Sequence, residues 1–512
     1  MAPKEIELKL SLPATDAAQL IAHPVLVGCE AKTYPLYNTY FDTPEFALRD
    51  RRIALRLRRK GESMWLMTVK GGESGIGGLA QRSEWEVPTR PGVFDFSIVG
   101  DHALRELLLA CQPRLQPVFS TDFQRTAWLV QRDGATIELA LDQGTLSAVD
   151  IAGGGQVNSA PISEIELELI DGSSPDVLFD LAIELAADLP LRPEIISKAE
   201  RGYALADRAM LRPVKAAPSS ISDDMTPANA FRTVASACLM QLQRNETGIV
   251  AGRDPEFVHQ SRVAIRRLRS ALKVFAPVLA PAFVAVYAPR WRTLASQLGD
   301  ARDLDVFLDE TLALLEATFP GEADLLVLRE KAEAAKRTVQ TQAQSAFAQT
   351  DYSRLLLAFS AALLRETPPT IDRQDKKAAA LTLTDFARRC LDRRARTVRR
   401  LLNEHARMNA ERRHQLRIAF KKLRYALDFF APLFAGKRLA AYQESLASIQ
   451  DLLGTLNDQQ TALRLIREMH PKNEPQPLTR GWLAGRAASL LETLDKELRR
   501  FGERRRPWRG RG

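Results

Sequence analysis

Nineteen residues beginning at His259, HQSRVAIRRLRSALKVFAP, recur from His414 as HQLRIAFKKLRYALDFFAP, 155 positions later and with 11 of the 19 identical. The correspondence continues to Leu298-Gly299 and Asp303, matched by Leu453-Gly454 and Asp458. Ala, Leu, Arg, Gln and Glu dominate this part of the chain, with apolar residues at three- and four-residue steps, the pattern of amphipathic helices. Each copy is about 140 residues, room for roughly four helices, so the repeat predicts two four-helix bundles related by a pseudo-twofold axis.

The first 205 residues read otherwise. Short alternating segments recur between turn signals at Glu5–Leu10, Ile53–Arg59, Trp65–Lys70, Gln81–Val87, Arg125–Gln131, Thr136–Leu141 and Ile162–Leu169. Helical patterns interrupt them at Ala14–Ile21, His102–Ala110, Asp176–Ala187 and Ser197–Met210, which makes an antiparallel α+β arrangement. The segment RPVKAAPSSISDDMTP is rich in Pro, Ala and Ser and reads as a linker. The expected organisation is an α+β domain over 1–208, a linker over 209–226 and a helical region over 227–503. The two copies within that region are placed at about 227–370 and 380–503, and the basic tail 504–512 is expected to be disordered and to add nonspecific anion affinity.

Charge divides along the same line. Residues 1–210 hold 21 Lys+Arg against 30 Asp+Glu, net −9, and the remainder holds 51 against 33, net +18. A basic half of this size predicts a polyanionic partner. The start of the chain lacks the basic-then-apolar pattern of a signal peptide, and no apolar run approaches about 18 residues, so a cytoplasmic protein without a membrane span is expected. Cys29, Cys111, Cys238 and Cys390 are scattered without CxxC spacing and read as isolated small hydrophobes.

Strand side chains alternate between faces, so Glu5, Glu7 and Lys9 project together and away from Ile6, Leu8 and Leu10. Arg56 and Arg58, then Arg82, Glu84 and Glu86, then Glu164, Glu166 and Glu168 repeat the device. If the apolar faces pack outward against helices, the charged faces line a wet interior, as closed barrels permit. Carboxylates facing Arg and Lys suit a metal–phosphate complex: oxygens hold Mg²⁺ or Mn²⁺ while the cations neutralise phosphoryl oxygens.

The ExExK run Glu5-Ile-Glu7-Leu-Lys9 resembles the signature of the CYTH domain, the triphosphate tunnel metalloenzymes. The resemblance continues in order through Tyr40-Phe41-Asp42-Thr43, Arg56, Arg58, Lys70 in VKGG, Arg82/Glu84/Glu86, Arg125, Asp142, SEIELEL and Lys198 in SKAERGY. It implies a closed tunnel of eight antiparallel strands that hydrolyses inorganic triphosphate with Mg²⁺ or Mn²⁺. Glu5, Glu7, Glu164 and Glu166, helped by Asp142 and Glu168, would hold metal, with Glu84 and Glu86 completing a second metal shell. Lys9, Arg56, Arg58, Lys70, Arg82, Arg125 and Lys198 would clasp phosphates, and Lys70 near Tyr40 is the candidate catalytic pair. Thiamine triphosphate and ATP, the latter cyclised, are the family's other substrates, but no constellation for a base or thiazole is legible.

In the helical half His259, Arg262, Arg266, Arg269 and Lys273 fall at steps of 3, 4, 3 and 4, one cationic stripe. His414, Arg417, Lys421 and Arg424 repeat it, with Asp428 in place of the last cation. His23, His102, His405 and His470 stand outside any such pattern and read as structural. The repeated HQxRxAxR/KR/KLR motif with its following LGxxxD resembles the CHAD domain, a helical module that binds inorganic polyphosphate. Regular cations without interleaved aromatics favour a backbone-only polyanion over a nucleic acid. The contrasting expectation is a noncatalytic polyphosphate-binding protein, associated with polyphosphate granules and carrying a vestigial tunnel.

Overall fold

The computed structural model describes residues 4–71, 77–149, 157–172, 174–207, 211–252, 254–365, 381–403, 409–434, 436–469 and 477–509. Two compact units emerge, one of Met1–Arg212 with Gln349–Glu366, the other of Pro213–Ala348 with Thr367–Gly512.

In the first unit the strands are β1 (Lys4–Ser11), β2 (Lys32–Asp42), β3 (Ile53–Lys60), β4 (Met64–Gly71), β5 (Leu79–Thr89), β6 (Gln116–Arg132), β7 (Ala135–Val149), β8 (Val157–Asp171) and the two-residue β9 (Arg192–Pro193). Their order is β5-β4-β3-β2-β6-β7-β8-β1, and β1 also pairs antiparallel with β5, so eight strands close into the expected barrel while β9 adds at the edge of β1. The helices are α1 (Ala17–Ile21), α2 (His102–Cys111), α3 (Asp176–Asp188) and α4 (Lys198–Ala206).

Alternation decides which face is dry. Leu8, Leu10, Ile137, Leu139, Ile165 and Leu167 turn outward and are buried beneath Leu178, Phe179, Leu181 and Leu185 of α3. Leu55, Leu57, Met67, Val69 and Trp85 do the same with Leu108 and Cys111 of α2. Each such side chain removed from water contributes about 1.5–3 kcal/mol, which fixes register: a one-residue slip would turn every charge into these cores. The interior is not charged throughout, however. Leu36, Phe123, Leu146 and Ile162 form an apolar patch inside, and Tyr40, Phe119 and Ala148 pack with Tyr203 and Ala206 of α4. Gly202 lets α4 approach, since a Cβ there would lie 2.2 Å from the Phe119 ring.

The helical elements are α5 (Pro227–Val250), α6 (Pro255–Val274), α7 (Pro281–Gln297), α8 (Gly299–Val306), a π-helical turn (Phe307–Leu312), α9 (Ala313–Thr318), α10 (Ala323–Ala348), α11 (Thr350–Leu364), α12 (Leu383–Asn403), α13 (Ala410–Phe430), α14 (Lys437–Met469) and α15 (Pro477–Glu503). Local chemistry sets the starts: Thr226 and Asp254 cap α5 and α6, each followed by Pro at the first helical position. The 155-residue offset lays α5 on α12, α6 on α13, α7 and α8 on the unbroken α14, and α10 on α15. The apolar interior is shared between copies: Phe275 stacks on Phe386 at 5.6 Å and meets Phe430 at 5.5 Å. A second cluster joins Leu304, Phe307 and Leu328 to Leu465, Ile466 and Leu483.

Three segments behave differently from what their composition predicts. The linker is tied down, because Val214 and Asn245 exchange two hydrogen bonds of 2.9 Å and Ile221 is buried. The basic tail is ordered through Arg509 rather than disordered: Arg506, Trp508 and Arg509 converge on Asp392 at 3.0, 3.0 and 2.6 Å, and the Trp508 ring packs on Tyr442. One buried tryptophan outweighs the local polarity. Finally α11, which the offset leaves without a counterpart, packs in the first unit, with Leu357 and Ala361 in the α3 core. Arg354 of α11 donates to the Ala186 and Ala187 carbonyls at 2.8 and 2.5 Å, and Arg365 pairs with Asp180 at 2.7 Å.

Candidate functional site

Inside the barrel lies a cavity of about 230 Å³ whose wall is built from strand alternation. Its cations are Lys9, Arg56, Arg58, Lys60, Lys70, Arg82, Arg125 and Lys198, and its carboxylates Glu5, Glu84, Glu86, Glu138, Glu166 and Glu168. Glu7, Asp142 and Glu164 sit fully buried one layer behind. There Glu7 accepts from Arg82 at 2.8 Å and pairs with Lys9 at 3.2 Å. Asp142 takes a two-pronged contact from Arg125, 2.7 and 2.8 Å, and another from Lys198 at 2.7 Å. Glu164 pairs with Lys198 and Arg201.

The register explains these meetings. Arg125 stands opposite Asp142, and Asp142 opposite Glu164. Glu166 lies between Ala140 and Lys9, and reaches Lys9 at 3.4 Å and Arg125 at 2.5 Å. Lys198 arrives from elsewhere: Ser197 and Glu200 form a capping box that fixes the start of α4, so its first residue points into the barrel and bonds Glu166 at 3.0 Å. Tyr203 anchors the helix by donating to Asp42 at 2.8 Å. On the opposite wall Lys70 bonds Glu5 at 2.7 and 2.8 Å and pairs with Glu84 at 3.1 Å. Arg58 donates to Asn38, which bonds Thr121, both at 2.8 Å, and Thr68 holds Glu86 at 2.9 Å.

Electrostatics separates the walls. Burial pushes the Arg58 guanidinium down to about 10, and neighbouring Arg56 and Arg125 push the same way. Burial likewise raises the Glu168 carboxyl to about 7, with Glu5, Glu138 and Glu7 adding repulsion against the opposing pull of Lys70. Burial alone would depress Lys70, but Glu7, Glu5 and Glu84 outweigh it and hold the ammonium above its ordinary value. Burial alone would raise Tyr40, yet Arg56, by charge and hydrogen bond, carries the phenol below its ordinary value. The carboxylates around Lys70 therefore favour its charged form.

The sequence motifs miss Tyr34, Lys60, Glu138 and Arg201. Three of them were recoverable from alternation, since Tyr34 shares a face with Tyr40, Lys60 with Arg56 and Arg58, and Glu138 with Asp142. Arg201 shows only through its helical spacing of three from Lys198.

In the second unit α6 packs on α13, and Arg262, Arg266, Arg417 and Lys421 gather at their crossing. Asp303 and Asp458, the repeat-related aspartates, lie beside Arg262 and Arg417. Burial drives Lys421 down to about 7, with Arg417, Arg266 and Arg262 adding to it and Asp458 opposing. His259 joins at the edge, depressed by burial and by Arg302, while His414 is exposed. Arg424 is engaged by Asp428 at 3.8 Å and Gln450 at 3.1 Å. Arg269 and Lys273 lie further along α6, on a separate cavity of about 490 Å³. Of the remaining histidines, His23 accepts from the Val25 amide at 3.3 Å, His102 is exposed, and His405 and His470 fall outside the described residues. Among the described residues no helix is long and apolar enough to cross a membrane.

Residues 3–203 match the CYTH domain and residues 233–467 the CHAD domain. An inorganic triphosphatase of Haemophilus influenzae is 34% identical over 213 residues, 41% of this chain and 56% of that relative's length. An uncharacterized protein of Mycobacterium tuberculosis is 27% identical over 419 residues, covering 77% of this chain and 76% of its own. The crystal structure of a CHAD domain from the plant Ricinus communis is similar over 58% of this chain and 98% of its own length, with 29% identity and a TM-score of 0.47.

Proposed function

Because the chain is a member of the CYTH–CHAD proteins, with a CYTH domain followed by a CHAD domain, we propose that its tunnel hydrolyses inorganic triphosphate to pyrophosphate and phosphate and that its helical domain binds inorganic polyphosphate. The observation that carries the first half is the convergence of eight cations and six carboxylates on one closed cavity of about 230 Å³. That volume lies below the ~300–1,000 Å³ common for drug-sized ligands, which favours a compact phosphate chain over a nucleotide. The Haemophilus influenzae relative supports the same substrate.

A divalent cation fits the donor set. Asp142, Glu164 and Glu166 offer carboxylate oxygens within 4.8 Å of one another, the hard-oxygen ligation that Mg²⁺ and Mn²⁺ prefer. Glu5, Glu7 and Glu168, with Glu84 and Glu86 nearby, would complete the holding set. Bound there, such an ion neutralises phosphoryl charge and acidifies a coordinated water. Lys9, Arg56, Arg58, Lys70, Arg82, Arg125 and Lys198 then orient the triphosphate and spread its charge, and Tyr40 positions Arg56 through their hydrogen bond. The network behind them holds each cation in place before substrate arrives, so little reorganisation is needed.

For the helical domain, the cations gathered between α6 and α13 support polyphosphate. The test is phosphate release from triphosphate, ATP, thiamine triphosphate and long-chain polyphosphate, with and without Mg²⁺ or Mn²⁺, with cyclic AMP monitored alongside. Triphosphate should be the preferred substrate, and Glu5→Gln and Arg56→Ala should each lower turnover by about 100-fold or more. Full activity in both variants would overturn the site assignment, and binding of polyphosphate with no turnover of any triphosphate would instead favour a noncatalytic protein.

A further inference from the structure

Lys9 stands where the ladder along one edge of β1 passes from one strand to another. β8 pairs with the other edge and places Lys9 opposite Glu166. On this edge β5 pairs with Lys4 to Leu8, and β9 takes over at Leu10 and Ser11. In an antiparallel strand the N–H and C=O of one residue point to the same side, so both Lys9 groups face the changeover. Each side supplies one bond: the Lys9 amide donates to the Gly78 carbonyl at 2.9 Å, and the Glu194 amide donates to the Lys9 carbonyl at 2.8 Å. The Lys9 side chain lines the tunnel, where its ammonium pairs with Glu7 at 3.2 Å and Glu166 at 3.4 Å.

Neither support is stiff by itself. Gly77 and Gly78 follow one another with φ of +62° and +85°, a conformation glycine adopts freely, and a Cβ on Gly78 would lie 2.5 Å from the Lys9 carbonyl. β9 is two residues long. What backs both is α11. Its fully buried Ser360 closes on Gly77, where a Cβ would come within 2.2 Å of the Ser360 Oγ and 2.3 Å of its Cβ. The helix also packs against β9. Leu357 and Ala361 share a core with Leu79, which follows Gly78, and with Leu191, which precedes β9. A single residue, Gln349, separates α11 from α10 of the second unit.

Resting on the reading of the tunnel as a triphosphatase, we propose that α11 is a positioning element of that tunnel and Ser360 a positioning residue. By holding Gly77 and β9, the helix fixes the Lys9 backbone and through it the ammonium that meets the triphosphate. A helix lying between the two repeats in sequence thereby sets part of the tunnel's affinity for its substrate.

The experiment is steady-state kinetics of the intact chain on triphosphate with Mg²⁺ or Mn²⁺, with a thermal melt of each preparation. Gly77→Ala and Ser360→Leu crowd the contact from its two sides, and each should raise KM by about tenfold or more while kcat changes less, since a shift on the order of 1 Å at a binding group suffices. Gly77→Ala/Ser360→Gly removes the steric conflict and should bring KM back to within about threefold of the parent, although its melting temperature stays low because alanine keeps the strained φ and glycine weakens the helix. In a Lys9→Met background, where the positioned group is gone, Gly77→Ala should change kcat/KM by no more than about twofold. Parental KM in Gly77→Ala and Ser360→Leu, no recovery in Gly77→Ala/Ser360→Gly, or an equal loss with and without Lys9→Met would each overturn the inference. Should Ser360→Leu fail to fold, the Gly77 variants decide alone. An inactive parent would instead overturn the reading of the tunnel, and this inference with it.

Discussion

Lys198 and Lys421 show opposite uses of a buried lysine. Lys198 is held protonated by Asp142, Glu164 and Glu166, whose attraction outweighs its burial. Lys198→Met should destabilise the first unit by about 3–5 kcal/mol, because it removes the one cation among the described residues that all three buried carboxylates share. Millimolar Mg²⁺ or Mn²⁺ should recover part of the loss in denaturant unfolding, and no recovery would count against a metal at these three carboxylates. Lys421 is instead depressed to about 7 by burial and by Arg417, Arg266 and Arg262. A base whose folded value lies below its unfolded one disfavours the protonated fold at low pH, and that penalty is relieved between about 7 and the ordinary lysine value. For the polyphosphate binding proposed above the direction reverses, since an anion favours the ammonium: affinity should fall as pH rises from 6 to 8, with up to one proton taken up per chain bound beside Lys421. Calorimetry in buffers of different ionisation enthalpy would measure the uptake, and Lys421→Arg should flatten the dependence.

The elements differ in how openly the sequence displays them. β1, β3, β4, β5 and β8 are visible from alternation because one face is charged and the other aliphatic. β2 is harder to see, since Pro35 interrupts it and its pairing with β6 shifts register at Tyr40/Phe41. The charged strands do not by themselves disclose the apolar patch inside the barrel. Leu36, Phe123, Leu146 and Ile162 share inward faces with charged or polar residues, and only closure of the barrel brings the four together. α4 is the element most exposed to a single change. A Gly202 side chain would meet Phe119 at 2.2 Å, so Gly202→Ala should cost about 1–3 kcal/mol by overpacking and lower turnover by displacing Lys198. Thermal melts and kinetics on the same preparation would separate the two effects, and a variant unchanged in both would show that α4 does not position the site.

At the scale of the molecule, the boundary between the units does not follow the chain. α11 lies between the two repeats in sequence and packs with the barrel unit, where Leu357 and Ala361 complete the core around α3 and Arg354 caps its last carbonyls. A fragment of residues 1–212 should therefore unfold at lower temperature than the same fragment carrying 349–366 on a flexible linker, with more aggregation from its uncovered apolar face. Equal melting of the two would show that α11 is dispensable. The sequence by itself determined the two classes of structure, the charged strand faces that a closed barrel permits, the helical duplication and the division of charge, while its resemblance to the CYTH domain implied the closed barrel and most of the charged residues that line the tunnel. Periodicity and composition are local, so they survive without knowledge of the fold. Only the tertiary structure decided that Glu7, Asp142 and Glu164 stand behind the cavity rather than on it, that the basic tail folds onto Asp392, that α11 joins the barrel and that Arg393, Arg394 and Lys422 meet Arg266, Arg269 and Lys273. Each of these depends on pairing between residues far apart in the chain, where cross-strand register and helix packing set the neighbours and no local pattern records them.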